Sequence, residues 1–174
     1  KLIDTLFDMK KFEKKIGFNI SYKQKFIEFS PLTMDYLKII AKKIKKKSGG
    51  ILIIDYGYTG RKLKNTLHSI SNHKFTNILD GFGNSDITYN INFNLIKKIA
   101  MEFGLKSSKI TSQKKFLLKL GILQRAEILS KNLPFSKKAD IYFRIKRLID
   151  EKSMGELFKV MFVTQKNNNF QVGF

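Results

Sequence analysis

The chain has 174 residues, 43% of them hydrophobic and 28% charged, the balance of one compact domain with a real core and not of a disordered segment. Its longest apolar runs, Ile51–Ile54 among them, are far shorter than the roughly 20 residues of a membrane-spanning helix. The absence of cysteine excludes a disulfide framework, a thiolate nucleophile and a cysteine-based zinc site.

Two histidines, His68 and His73, are too few for a histidine-only metal centre. No secretory signal pattern opens the sequence, so a cytoplasmic or mitochondrial-matrix setting is expected. The first residue is Lys1, which reads as a fragment or a processed form. A net charge of +20 invites a nucleic-acid reading. However, only Arg61, Arg125, Arg144 and Arg147 among the 34 basic residues are arginines, and base readout favours the forked guanidinium. Lysine, asparagine, isoleucine and phenylalanine abound together, as an A/T-rich genome would produce on any solvated surface. Nucleic acid is therefore the disfavoured partner.

In chain order, residues 1–25 form a lysine-rich segment in which Leu2, Ile3, Leu6, Phe7 and Phe12 fit either a helix or a tail. Ser30-Pro31 is a helix start, since serine caps free amides and proline is pre-shaped for the first turn. Leu37, Ile40, Ala41 and Ile44 then recur on one face, and Ser48-Gly49-Gly50 ends the helix. Ile51–Ile54 is apolar at every position, which predicts a strand buried on both faces of a parallel sheet. It runs into Asp55-Tyr56-Gly57-Tyr58, where an open α/β sheet would place its chemistry.

Residues 59–89 read as a long irregular polar stretch, too long for a passive connection. Asn92 caps a helix bearing Phe93, Ile96, Ile99, Ala100 and Phe103, closed by Gly104. Lys109–Thr111 is a candidate strand. Ser112 caps a helix with Phe116, Leu117 and Leu120, broken at Gly121. Helical pattern resumes at 122–133 until Pro134 and again over 137–150, where Ile141, Ile145 and Leu148 share a face. Leu157–Thr164 is the last strand. The order of elements is α/β.

The stretch KFIEFSPLTMDYLKIIAKKIKKKSGGILIIDYGY, from Lys25 to Tyr58, resembles the MidA family, which pairs a glutamate–x–serine–proline helix start with a GG-x-LIIDYG strand. Thr66-Leu67, His73-Lys74, Asp86-Ile87-Thr88 and Phe93 continue the likeness. So do Gln113, Phe116-Leu117, Leu120-Gly121-Ile122, Arg125-Ala126, Met154-Gly155-Glu156-Leu157-Phe158-Lys159-Val160 and the closing Gly173-Phe174. Their shared order is the specific signal. The resemblance implies a class I, Rossmann-like methyltransferase fold, of which residues 26–174 would be the C-terminal part: its fifth to seventh strands and a helical insertion. It implies S-adenosyl-L-methionine as cofactor and arginine of a partner protein, in the mitochondrial relatives a respiratory complex I subunit, as acceptor.

The family's glycine-rich cofactor loop has no equivalent here. Gly57-x-x-Gly60 follows the wrong strand and Gly81-x-Gly83 follows no clear strand, so this chain alone is expected to bind the cofactor weakly or not at all. Asn90 and Asn92 stand where the family commonly has histidine and aspartate.

An arginine acceptor is protonated in water and needs acidic groups to bind and orient it. Within 48–92 the acids are Asp55, Asp80 and Asp86. Asp55 and Asp86 are the candidate catalytic residues; Tyr56, Gly57, Tyr58, Thr88 and His73 are candidates for the acceptor side. Blander roles stay open: Asp55 as a turn cap, Asp86-x-Thr88 as a local turn, Asp80 and His73 as surface, Glu28 as a helix-start charge. The alternative function is a catalytically inactive assembly or interaction protein that keeps the fold.

Overall fold

The computed structural model describes residues 6–80, 83–170 and 172–174. Leu2, Ile3 and Gly81, read above from sequence, fall outside them.

Asp8 caps helix α1 (Met9–Ile16) by accepting from the Lys11 amide at 2.9 Å. The segment is docked: Phe12, Ile16 and Ile20 are buried in one cluster with Met34, Leu37 and Ile99. Ser30 caps helix α2 (Pro31–Lys47), which buries Met34, Leu37, Ala41 and Ile44. The stop at 48–50 is conformational, with Ser48 at φ 60° and Gly49 at φ 105°.

Strand β1 (Gly50–Tyr58) follows. The main sheet runs β5 (Ile91–Asn92), β1, β8 (Phe158–Thr164), β6 (Lys106–Ser107), with β7 (Thr111–Ser112) also on β8. β1 and β8 are antiparallel from Gly50↔Thr164 to Tyr56↔Phe158, whereas β5 is parallel to β1 and reaches only Gly57 and Tyr58. Ile51 and Ile53 pack with Phe93, Met161 and Val163 under α2 and helix α3 (Phe93–Glu102).

Burial on both faces of β1 does not hold. Leu52, Ile54 and Tyr56 on its other face are 47%, 43% and 45% exposed. The all-apolar sequence suits a doubly covered strand, but the described residues cover one side only.

The polar stretch after β1 is also more ordered than the sequence reading. It holds a three-stranded antiparallel sheet of β2 (His68–Ser71), β3 (Lys74–Thr76) and β4 (Asp86–Thr88), ordered β3-β2-β4. Asn72 and His73 make its hairpin turn, both at positive φ as type I′ turns require.

The candidate strand at 109–111 is displaced into β6 and β7. Ser108 bulges between them, its amide donating to the Phe162 carbonyl and its hydroxyl accepting from the Phe162 amide. Helices α4 (Gln113–Lys119), α5 (Ile122–Ser130), α6 (Phe135–Ile149) and α7 (Met154–Leu157) fill the chain between β7 and β8. Gly121, at φ 77°, separates α4 from α5.

Candidate functional site

The site lies at the carboxyl end of β1. Asp55 sits on the face covered by α2 and α3, half-buried, opposite Lys159 of β8, and accepts from the Tyr56 amide at 2.8 Å. Tyr56 points to the open face, its ring 4.1 Å from that of Phe158. Gly57 leaves no room for a side chain: a Cβ there would lie 2.5 Å from the Phe93 ring and 2.6 Å from the Ile91 carbonyl oxygen. Tyr58 is buried, and its hydroxyl accepts from the Lys64 amide at 2.9 Å, tying down the loop beyond the strand.

A polar clamp then joins three distant segments. Glu28, three residues before α2, accepts from the Thr66 amide (2.5 Å), the Thr66 hydroxyl (2.6 Å) and the Leu67 amide (2.8 Å). Thr66 Oγ1 in turn accepts from the Asn90 amide at 2.8 Å. The matching of Glu28 with Thr66-Leu67 in the sequence thus has a physical meaning, since the carboxylate satisfies the loop's amides. Its role exceeds that of a helix-start charge.

His68 joins this network. Its Nδ1 is 2.7 Å from the Thr66 carbonyl, which can only accept, so that nitrogen carries the proton. In the neutral ring Nε2 then accepts from the Thr88 hydroxyl at 2.8 Å. Asp55 and Glu28 both act on Tyr89: burial first, then these two negative charges, push its phenol above the ordinary tyrosine value. Asn92 accepts from the Leu95 amide as the α3 cap and donates to the Gly60 carbonyl at 3.3 Å, a bond an aspartate could not donate.

The seven residues singled out from sequence therefore divide. Asp55, Tyr56, Gly57 and Tyr58 gather at the end of β1, and Thr88 joins through β4 and His68. Asp86 is exposed on β4, in the smaller sheet, and His73 is exposed in the 72–73 turn. Asp80 lies exposed in the loop, its amide donating to the Asn77 carbonyl. Glu28, His68 and Tyr89 were not singled out as site residues. The only signals for them were their closeness in sequence to family-like residues: Glu28 in the helix-start motif, His68 next to Thr66-Leu67, and Tyr89 next to Asp86-Ile87-Thr88.

A cleft of about 400 Å³ opens beside this region, with Tyr22, Gln24, Arg61, Asn92 and Asn94 among its walls. No group of three or more potential metal ligands occurs among the described residues. The residues present do not form a cofactor cradle. Gly57 is filled by Phe93, Gly60 faces open space, and the loop after β1 enters a small sheet and not a helix N-terminus.

A sheet with an antiparallel closing strand, α2 and α3 packed on the Ile51–Ile53 face of β1 and a carboxylate near that strand's carboxyl end defines the edge of a Rossmann-like α/β domain. The profile of a family described as "Putative S-adenosyl-L-methionine-dependent methyltransferase" matches residues 4–111, and the chain belongs to that family.

Among curated proteins it is similar to "Protein arginine methyltransferase NDUFAF7, mitochondrial" of Danio rerio, at 30% identity over 69% of this chain and 28% of that protein. The protein of the same name from Xenopus tropicalis is 26% identical over 81% of this chain and 33% of its own length. Among solved structures, a Burkholderia thailandensis protein bound to S-adenosyl-homocysteine superposes with a TM-score of 0.75 at 22% identity, covering 99% of this chain and 46% of that one. A second structure from the same organism gives 0.73 and 21%, over 99% and 47%. At that identity the likeness establishes the fold. The chain spans about a third of the curated relatives it matches and just under half of the solved chains.

Proposed function

We propose that this chain is the acceptor-binding part of an S-adenosyl-L-methionine-dependent protein methyltransferase acting on arginine. The observation that carries the reading is Asp55, half-buried at the carboxyl end of β1 beside Tyr89, where a carboxylate can hold and orient a guanidinium. The name shared by the curated relatives supports arginine as acceptor and a protein as substrate. In the mitochondrial relatives' setting that substrate would be a complex I subunit.

In this reading Asp55 binds the acceptor, Asp86 brings a second carboxylate from β4, and Tyr56, Gly57, Tyr58 and Thr88 shape its approach. His73 reaches the acceptor only through the hairpin that carries it. The cofactor supplies the methyl group when bound, held by residues other than those described.

The test is methyl transfer from labelled S-adenosylmethionine to an arginine-bearing protein, using this chain joined to the remainder of a family fold. Asp55→Asn should lower transfer by about 100-fold or more, with an unchanged circular dichroism spectrum. An assembly that binds the cofactor yet transfers nothing to arginine would overturn the reading.

A second reading has its own support: Asn92, where the family commonly has aspartate, is built into the α3 cap and also tethers the Gly60 carbonyl. These features suit an assembly protein that keeps the fold without catalysis. Lack of S-adenosylmethionine binding by the completed, folded protein would favour it.

A further inference from the structure

Helices α4 to α7 leave the sheet at Ser112 and return at Phe158. In register these positions flank Asp55, because Asp55 faces Lys159, Lys159 faces Ser112, and Phe158 faces Tyr56. The whole helical insertion therefore stands at the same end of the sheet as the candidate site.

Its outer helix is unusual in two respects. None of the 15 residues of α6 is buried, and two aromatics are largely in solvent, Phe135 at 86% and Phe143 at 71%. Ile141, Ile145 and Leu148 turn toward the rest of the insertion. Phe135, Tyr142, Phe143, Lys146 and Arg147 recur at i, i+7, i+8, i+11 and i+12, an exposed stripe whose Tyr142 and Lys146 also border a cleft of about 720 Å³ shared with Lys114 of α4 and Leu123 of α5. Ile128 and Leu129 of α5 add further exposed apolar surface on the adjoining helix.

The same helices are also strongly basic. Residues 113–149 contain ten basic side chains and two acids, Glu127 and Asp140, so 37 of the 174 residues carry +8 of the net +20. General lysine enrichment does not account for it, since three of the chain's four arginines, Arg125, Arg144 and Arg147, lie here. Arg144 pairs with Asp140 at 3.0 Å; Arg125 and Arg147 have no carboxylate partner among the described residues. Exposed aromatics beside unpaired arginines are the side chains that anchor protein interfaces.

We propose that the outward face of α6, with the exposed edge of α5, docks an acidic, leucine-bearing segment of the substrate protein and so delivers that protein to the carboxyl end of β1. This rests on the reading of the chain as part of a protein methyltransferase. Phe135, Tyr142 and Phe143 receive the apolar side chains; Lys146, Arg147 and Arg125 meet the carboxylates. Complementary charge sets partner choice and association rate.

The experiment measures binding of a fluorescent amphipathic peptide of repeating leucine and glutamate by anisotropy, using this chain. Two controls replace its leucines by serine or its glutamates by lysine. The expected result is saturable binding of the leucine–glutamate peptide alone, weakened about tenfold or more by Phe143→Ser and by Arg147→Glu. Both positions are exposed, so circular dichroism should be unchanged.

Equal binding of the serine control would reduce the face to general cationic attraction and overturn the proposal. So would indifference to both variants. The proposal also falls if phosphatidylglycerol vesicles or polyuridylate bind through Phe143 and Arg147 while the peptide does not, or if sedimentation shows a second copy covering the face. No methyl donor is present, so failure of methyl transfer and failure of docking are separate results.

Discussion

At the scale of single residues, the structure converts several sequence coincidences into one network. Glu28 and Thr66 are 38 positions apart, yet the carboxylate of one satisfies the amide and hydroxyl of the other. Thr66 then holds the Asn90 amide, and His68 spans from Thr66 to Thr88. Burial, with the nearby charges of Asp55 and Glu28, raises the phenol pKa of Tyr89, and this has a consequence for stability. A group that binds its proton more tightly when folded stabilises the fold fully below its unfolded value, about 10 for tyrosine. That contribution is lost as pH rises through the raised folded value. Tyr89→Phe removes the titrating group, so melting temperature should fall less between pH 9 and pH 11 than in the parent chain. The two proteins should melt alike at pH 7. An unchanged alkaline slope in the variant would mean that Tyr89 does not ionise in that window.

At the scale of elements, β1 is the informative case. Its central run was legible because an apolar strand is a local signal, whereas the strand's continuation from Asp55 through Tyr58 was not, since pairing with β8 and β5 sets it. Which faces of the strand are covered was not legible, since covering depends on what packs above it and not on the strand's own sequence. Leu52, Ile54 and Tyr56 form an exposed apolar row, and between Gly50 and Tyr56 one edge of β1 has no partner among the described residues. An exposed apolar edge strand is a template for self-pairing. Ile54→Lys should therefore reduce concentration-dependent association, measured by light scattering, without lowering the melting temperature by more than a degree or two. Greater aggregation of the variant would show that Ile54 stabilises the fold instead.

Other elements divide the same way. The caps at Ser30, Asn92 and Ser112 were readable because a cap and its helix are adjacent. The β2–β3–β4 sheet escaped because its strands are three or four residues long and carry exposed Phe75 and Ile87. Its one local signal was Asn72-His73, between two runs of alternating polarity. Glu28, His68 and Tyr89 escaped for a related reason: their partners are brought to them by tertiary folding.

At the scale of the molecule, stability is distributed unevenly, and this is measurable. The sheet and the two helices beneath it share a dense core, where Phe93, Ile99, Met161 and Val163 are almost wholly excluded from water. The N-terminal segment joins that core through the Phe12, Ile16 and Ile20 cluster. The α4–α7 insertion is different. Phe116 and Ala126 are its buried apolar anchors, and α6 contributes only half-buried side chains. Regions with few buried apolar contacts open at lower free energy than the core, often as a unit. Native-state hydrogen exchange should therefore find the α6 amides exchanging by local opening, well before those of β8 and α3. The β8 amides should open only with the whole molecule. A helix that opens separately can adapt its outward face to a bound segment, so an acidic, leucine-bearing peptide should slow α6 exchange and leave β8 unchanged. Equal protection of α6 and β8 in the unbound chain would instead make the insertion part of one cooperative unit.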